Sequence, residues 1–198
     1  MNLTLKESLV TRSRVFSPWT AFYFLQSLLI NLGLGYPFSL LYTAAFTAIL
    51  LLLWRTLPRV QKVLVGISSL VAACYFPFAQ AYGAPNFNTL LALHSTNMEE
   101  STEILTIFPW YSYLVGIFIF ALGVIAIRRK KESEKARWNT FDSLCLVFSV
   151  ATFFVAPVQN LAWGGVFKLK DTGYPVFRFA KDVIVNNNEV IEEQERMA

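Results

Sequence analysis

Ala84–Leu105, APNFNTLLALHSTNMEESTEIL, is the stretch whose reading decides the architecture. It holds the chain's one histidine, His94, and the acids Glu99, Glu100 and Glu103, but no Lys or Arg. Long apolar runs lie on both sides of it. The stretch is too polar to cross a bilayer and too apolar for a simple loop, so it fits a sided segment lying where a membrane meets water.

The composition agrees. Of 198 residues, 55% are hydrophobic, 16% aromatic and only 15% charged, and mean hydropathy is +0.47, well outside the range of ordinary soluble domains. This is a membrane protein. In a soluble chain, a net charge of +4 and a pI near 9.1 would point to nucleic acid; here the basic residues fill gaps between apolar runs, so no nucleic-acid partner is expected. Cys74 and Cys145 lie inside apolar runs without metal-ligand spacing and are expected to be buried as small hydrophobes. The first apolar run starts late, has the length of a span and leads into another, so no cleavable signal is expected.

Working outward from Ala84–Leu105, five spans emerge, at about 17–36, 38–54, 63–82, 107–127 and 141–163. Gly33, Gly35 and Pro37 supply a tight turn between the first two. Pro58 with Arg55, Arg59 and Lys62 makes a short basic loop before the third. Pro77 implies a kink or an early end near Phe76. Trp110, Tyr111, Tyr113 and Trp163 are placed as interfacial anchors. Lys6, Arg12 and Arg14, then Arg55, Arg59 and Lys62, then the run Arg128–Arg137 (RRKKESEKAR) recur at every second connection, while the other connections carry no Lys or Arg. By the positive-inside rule the N-terminus is cytoplasmic, the C-terminus is outside, and Ala84–Leu105 lies on the outer face. The expected fold is therefore an all-α, five-helix membrane domain over residues 1–163 with an outer amphipathic segment between its third and fourth helices. Residues 164–198 follow as an outer amphipathic segment around Phe177, Phe179, Ala180, Val183 and Ile184, and then a polar linker or helix leading to a further domain.

No self-sufficient active site is legible: no metal-ligand cluster, no glycine-rich phosphate loop, and no serine or threonine with an obvious base. His94 alone reads as a structural hydrogen-bonding residue. Within the deciding stretch, Asn88, Ala92, Ser95/Thr96, Glu99/Glu100 and Glu103 recur every three or four residues as one polar stripe, with Leu90, Leu91, Leu93 and Met98 on the remainder. Thr96-x-x-Glu99 and Asn97-x-x-Glu100 both fit a capping box, and carboxylates at this depth also suit a lipid's cationic amine. The two readings are compatible.

The run NFNTLLALHSTNMEESTEILTIFPW, after a kinked third span, together with the five-span plan, resembles the membrane domain of the bacterial inner-membrane phosphoethanolamine transferases, nearest those that modify osmoregulated periplasmic glucans. The resemblance implies a periplasmic alkaline-phosphatase-like domain beyond this chain, in which a threonine nucleophile and zinc take phosphoethanolamine from phosphatidylethanolamine. This chain would itself hold no cofactor and no catalytic residue. Thr96 and Glu100 occupy the places of a family threonine and glutamate that contact the donor headgroup, with Asn88, Glu99 and Glu103 as neighbouring candidates. Where the lipid A-modifying members have an asparagine four residues before that threonine, this chain has Ala92. The implied role is to anchor the enzyme among membrane lipids and to hold phosphatidylethanolamine for transfer to a periplasmic glycan. The alternative from another class is a non-enzymatic scaffold or a small transporter subunit. Against transport, the span cores lack ionisable residues.

Overall fold

In a computed structural model of the chain, residues 18–95, 106, 108–129, 140–162 and 173–197 are described. These contain seven helices and no strand: α1 (Pro18–Gly33), α2 (Leu40–Thr56), α3 (Pro58–Tyr82), α4 (Phe87–Ser95), α5 (Trp110–Arg128), α6 (Thr140–Ala162) and α7 (Pro175–Met197). By length and composition α3, α5 and α6 can each cross a membrane, and α2 is a shorter apolar helix of 17 residues.

The polarity of the bundle is that of helices meant for lipid. Leu114, Ile117, Phe118 and Phe120 of α5 and Leu144, Val147 and Val150 of α6 face outward, while Gln26, Ser27, Asn31, Thr43, Thr47, Gln61 and Ser69 are buried. The buried groups pair across helices in tiers: Gln61 to the Tyr23 hydroxyl at 3.2 Å, Gln26 to Ser69 at 3.1 Å, Thr47 to Ser27 at 3.2 Å, and Asn31 to Thr43 at 3.1 Å. In hydrocarbon an unpaired amide or hydroxyl has no water to turn to, so such pairs hold helices together and fix their rotation. Small residues let α3 and α5 meet backbone to backbone. A Cβ on Gly116 would lie 2.7 Å from the Ala73 carbonyl oxygen, and one on Gly123 would lie 2.6 Å from the Ser69 Cβ.

Two ends can be told apart. At one, Arg129, just past α5, lies over the rings of Trp19 (4.0 Å) and Trp54 (3.6 Å), and Arg55 in the last turn of α2 binds Asp142 in the first turn of α6. At the other lie the α1–α2 connection, the end of α3, α4 and much of α7. Helices α1, α2 and α3 thus run alternately up and down.

Several boundaries differ from expectation. Pro58 does not belong to a loop: it opens α3, where its fixed φ is already helical and its missing N–H would have no acceptor, leaving only Leu57 between α2 and α3. The third helix accordingly starts at residue 58 rather than 63 and carries Arg59 and Lys62 itself. It runs through Pro77 without an early end. The first helix stops at Gly33, not residue 36. Cys74 is exposed rather than buried, because it shares the outward face of α3 with Val63, Ile67 and Leu70, whereas Cys145 is buried as expected. Trp110 and Tyr111 stand exposed at the start of α5, as an interfacial anchor requires.

Candidate functional site

The opening of the Ala84–Leu105 stretch is held by backbone that only glycine permits. Gly35 has φ +80°, and a Cβ there would lie 2.4 Å from the carbonyl carbon of Gly83. The α1–α2 turn thereby seats directly on Gly83 and Ala84. Gly83, also at positive φ (+74°), ends α3, and its carbonyl accepts a bond from the Tyr75 hydroxyl at 2.9 Å. Three residues later Asn86 caps α4. Its side-chain oxygen accepts from the Thr89 N–H at 3.0 Å and from the Thr89 hydroxyl at 3.1 Å.

α7 then crosses this end of the molecule as a strap. Tyr174, buried immediately before it, reaches down between α2 and α6 to donate to the Ser149 carbonyl at 2.8 Å. Burial pushes its phenol up to about 12, so it is a neutral donor. Phe179 packs edge-on to Tyr75 at 5.0 Å between ring centres. Further along, Asn186 donates to the Pro85 carbonyl at 3.5 Å, and Asn187 meets His94 Nε2 at 2.9 Å. The start and the end of α4 are thus both tied to α7, and His94 has the structural hydrogen-bonding place its sequence context implied.

Of the predicted site residues, Asn88 is described: it is exposed on α4, one residue before the buried Thr89. Thr96, Glu99, Glu100 and Glu103 lie outside the described residues, as do the two candidate capping boxes. Among the described residues no three His, Cys, Asp or Glu side chains come together to hold a metal ion, so nothing described offers a place for zinc.

A second polar site had no signal in the sequence. Between the α1–α2 connection, the end of α6 and the start of α7 lies a cavity of about 370 Å³, lined among others by Tyr36, Tyr42, Asn160, Arg178, Lys181 and Asp182. Tyr36 donates to Asp182 at 2.7 Å, the Arg178 Nε lies 3.5 Å from the same carboxylate, and its guanidinium lies 5.0 Å from the Tyr36 ring centre. Burial first, and the Asp182 carboxylate second, raise the Tyr36 pKa and keep its phenol protonated as the donor. Tyr36 and Asp182 are 146 residues apart, beyond any local pattern.

Comparison with known proteins gives one informative likeness. All 198 residues align at 98% identity with phosphoethanolamine transferase OpgE of Escherichia coli (strain K12). Every residue of this chain thus has its counterpart in one part of that transferase. It spans 38% of the length of that transferase. No family model and no solved structure matches it. The part so matched is a helical bundle of membrane-type helices, with α4 and α7 bound to one another across one end.

Proposed function

We propose that this chain is the membrane domain of a phosphoethanolamine transferase: it anchors a periplasmic catalytic domain and holds phosphatidylethanolamine so that the headgroup can be transferred to a periplasmic glycan, an osmoregulated periplasmic glucan. The observation that carries the reading is the 98% identity to a phosphoethanolamine transferase over the whole chain. The outward apolar faces of α5 and α6 and the inward polar tiers support a membrane setting. In this reading α1, α2, α3, α5 and α6 are the five spans, in the bacterial inner membrane, with α4 and α7 on the periplasmic side. The catalytic threonine and zinc belong to the domain beyond this chain.

The mechanism proposed for this part is positional. Glu100, with Thr96 and the neighbouring Asn88, Glu99 and Glu103, holds the ammonium group by charge-assisted hydrogen bonds, leaving the phosphodiester open to a nucleophile. Placing a two-dimensionally diffusing lipid beside that nucleophile makes the encounter effectively intramolecular, which is where most of the rate advantage of such a domain would come from.

The complete protein, given phosphatidylethanolamine labelled in its headgroup and periplasmic glucan, is expected to move label to the glucan. Label that stays in lipid, or that appears only on another acceptor, would contradict the acceptor assignment. The orientation has its own test. A cysteine at Lys168 should react with a membrane-impermeant thiol reagent applied from outside and one at Lys131 should not; the opposite pattern would overturn the topology.

A further inference from the structure

Helix α4 has 9 residues, too few to stay in place by its own backbone bonds, since isolated helices shorter than about 12–15 residues are marginal in water. What places it must therefore come from outside it. Its start follows α3 closely and is capped by Asn86. Its end rests on a different element: His94, the next-to-last residue of α4, meets Asn187 of α7 at 2.9 Å between Nε2 and Oδ1. An amide oxygen only accepts, so the ring donates from Nε2. The other bond between these helix regions is the lesser one, because Asn186 Nδ2 donates to the Asp182 carbonyl at 2.6 Å and reaches the Pro85 carbonyl only at 3.5 Å.

α7 is firmly seated before it reaches Asn187. Tyr36 donates to Asp182 at 2.7 Å, Phe179 packs against Tyr75, and Tyr174, just ahead of the helix, is tied to α6. Val190, one turn beyond Asn187, is fully buried. The bundle thus sets the position of Asn187, and Asn187 sets the end of α4. His94 stands two residues before Thr96 and six before Glu100, so the bond that fixes the end of α4 also fixes the point from which that stretch departs.

We propose that His94 and Asn187 are positioning residues for phosphoethanolamine transfer: their hydrogen bond ties the donor-holding stretch that begins at Thr96 to α7, the helix that leads toward the catalytic domain, and keeps the bound donor in register with the nucleophile. Neither residue touches the donor. This role rests on the reading of Thr96 and Glu100 as donor contacts, and it has a different kinetic signature. Loss of a donor contact weakens lipid binding, a fall that more lipid overcomes, whereas a misplaced donor is bound as before and reacts more slowly at every lipid concentration.

The complete protein, given phosphatidylethanolamine labelled in its headgroup and periplasmic glucan, is assayed per folded molecule from limiting to saturating donor lipid. His94→Ala and Asn187→Ala are each expected to lower the saturated rate about three- to tenfold, the range of one ordinary hydrogen bond, with the half-saturating donor concentration within about twofold of the parent's. H94A/N187A should be no slower than the slower single variant, because both changes remove the same bond. His94→Gln, whose amide nitrogen can donate from about the place of Nε2, should recover most of the rate. Alanine at 187 favours the helix, so a loss there does not come from a melted α7. Saturated rates equal to the parent's in both alanine variants, beside a fall at limiting lipid in Glu100→Ala, overturn the role of the pair and leave the donor contact standing. The same equality with no fall in Glu100→Ala overturns both. A loss confined to the half-saturating concentration, a double variant slowed by the product of the two single effects, or His94→Gln as slow as His94→Ala also overturns the positioning role.

Discussion

Asp142→Ala is expected to lower the stability of the folded bundle by about 3–5 kcal/mol, the usual cost of removing one partner of a buried ion pair. Asp142 lies in the first turn of α6, its side chain 4% exposed, and both its carboxylate oxygens lie on Arg55 Nη1, at 2.5 and 2.6 Å. Each charge also favours its own helix end: a carboxylate near the positive N-terminus of α6 and a cation near the negative C-terminus of α2. Alanine at 142 leaves the Arg55 guanidinium, 17% exposed, without its carboxylate in a poorly solvated place. Removing both charges together, as in R55L/D142L, should recover most of the loss, because the desolvation of both ions disappears with the attraction. The measurement is unfolding in detergent micelles followed by helical circular dichroism. A single variant as stable as the parent, or a double variant no better than the single, would mean that the pair is not what joins α2 to α6.

How much of this could be read from the chain follows from the range of each signal. Helix positions were legible because a span is a local property: an uncharged run bounded by Arg, Lys, Gly or Pro. Pro58 is ambiguous in the sequence because a proline that ends one helix and a proline that begins the next look alike until the length of the connection is known. The tiers of Gln26, Ser27, Asn31 and Gln61 could not be read, since uncharged polar residues inside an apolar run carry no mark of which neighbour they face; only the pairing of α1 with α2 and α3 decides it. In α7 the sequence shows apolar residues on two sides of one helix. Phe179 faces Tyr75 while Phe177 and Ile184 remain exposed, and of the two readings open for the asparagine-rich stretch, linker or helix, it takes the helix, which continues to Met197. The contact of His94 with Asn187 and that of Tyr36 with Asp182 join opposite parts of the chain and leave no periodicity to detect. The proposed donor contacts are the reverse case. Thr96 and Glu100 stand out by a short local motif, and activity is the test of their role.

Glu100→Ala carries that test. If Glu100 holds the ammonium group of phosphatidylethanolamine, its removal takes away a charge-assisted hydrogen bond worth about 1.5–3 kcal/mol, or roughly a ten- to hundredfold loss in transfer at limiting lipid. Neither membrane insertion nor fold should change, because the role is to bind a ligand rather than to support a neighbour. Glu100→Asp, which keeps the charge on a shorter arm, should fall between the two. A helix cap behaves differently: alanine would cost about 1 kcal/mol of stability and leave the rate per folded molecule unchanged. The decisive measurement is therefore the initial rate of phosphoethanolamine transfer from labelled phosphatidylethanolamine by the complete protein, per folded molecule, across a range of donor lipid. A tenfold or greater fall in Glu100→Ala that shrinks as donor lipid is raised is the predicted result; a rate equal to the parent's at every lipid concentration would contradict the donor-binding role.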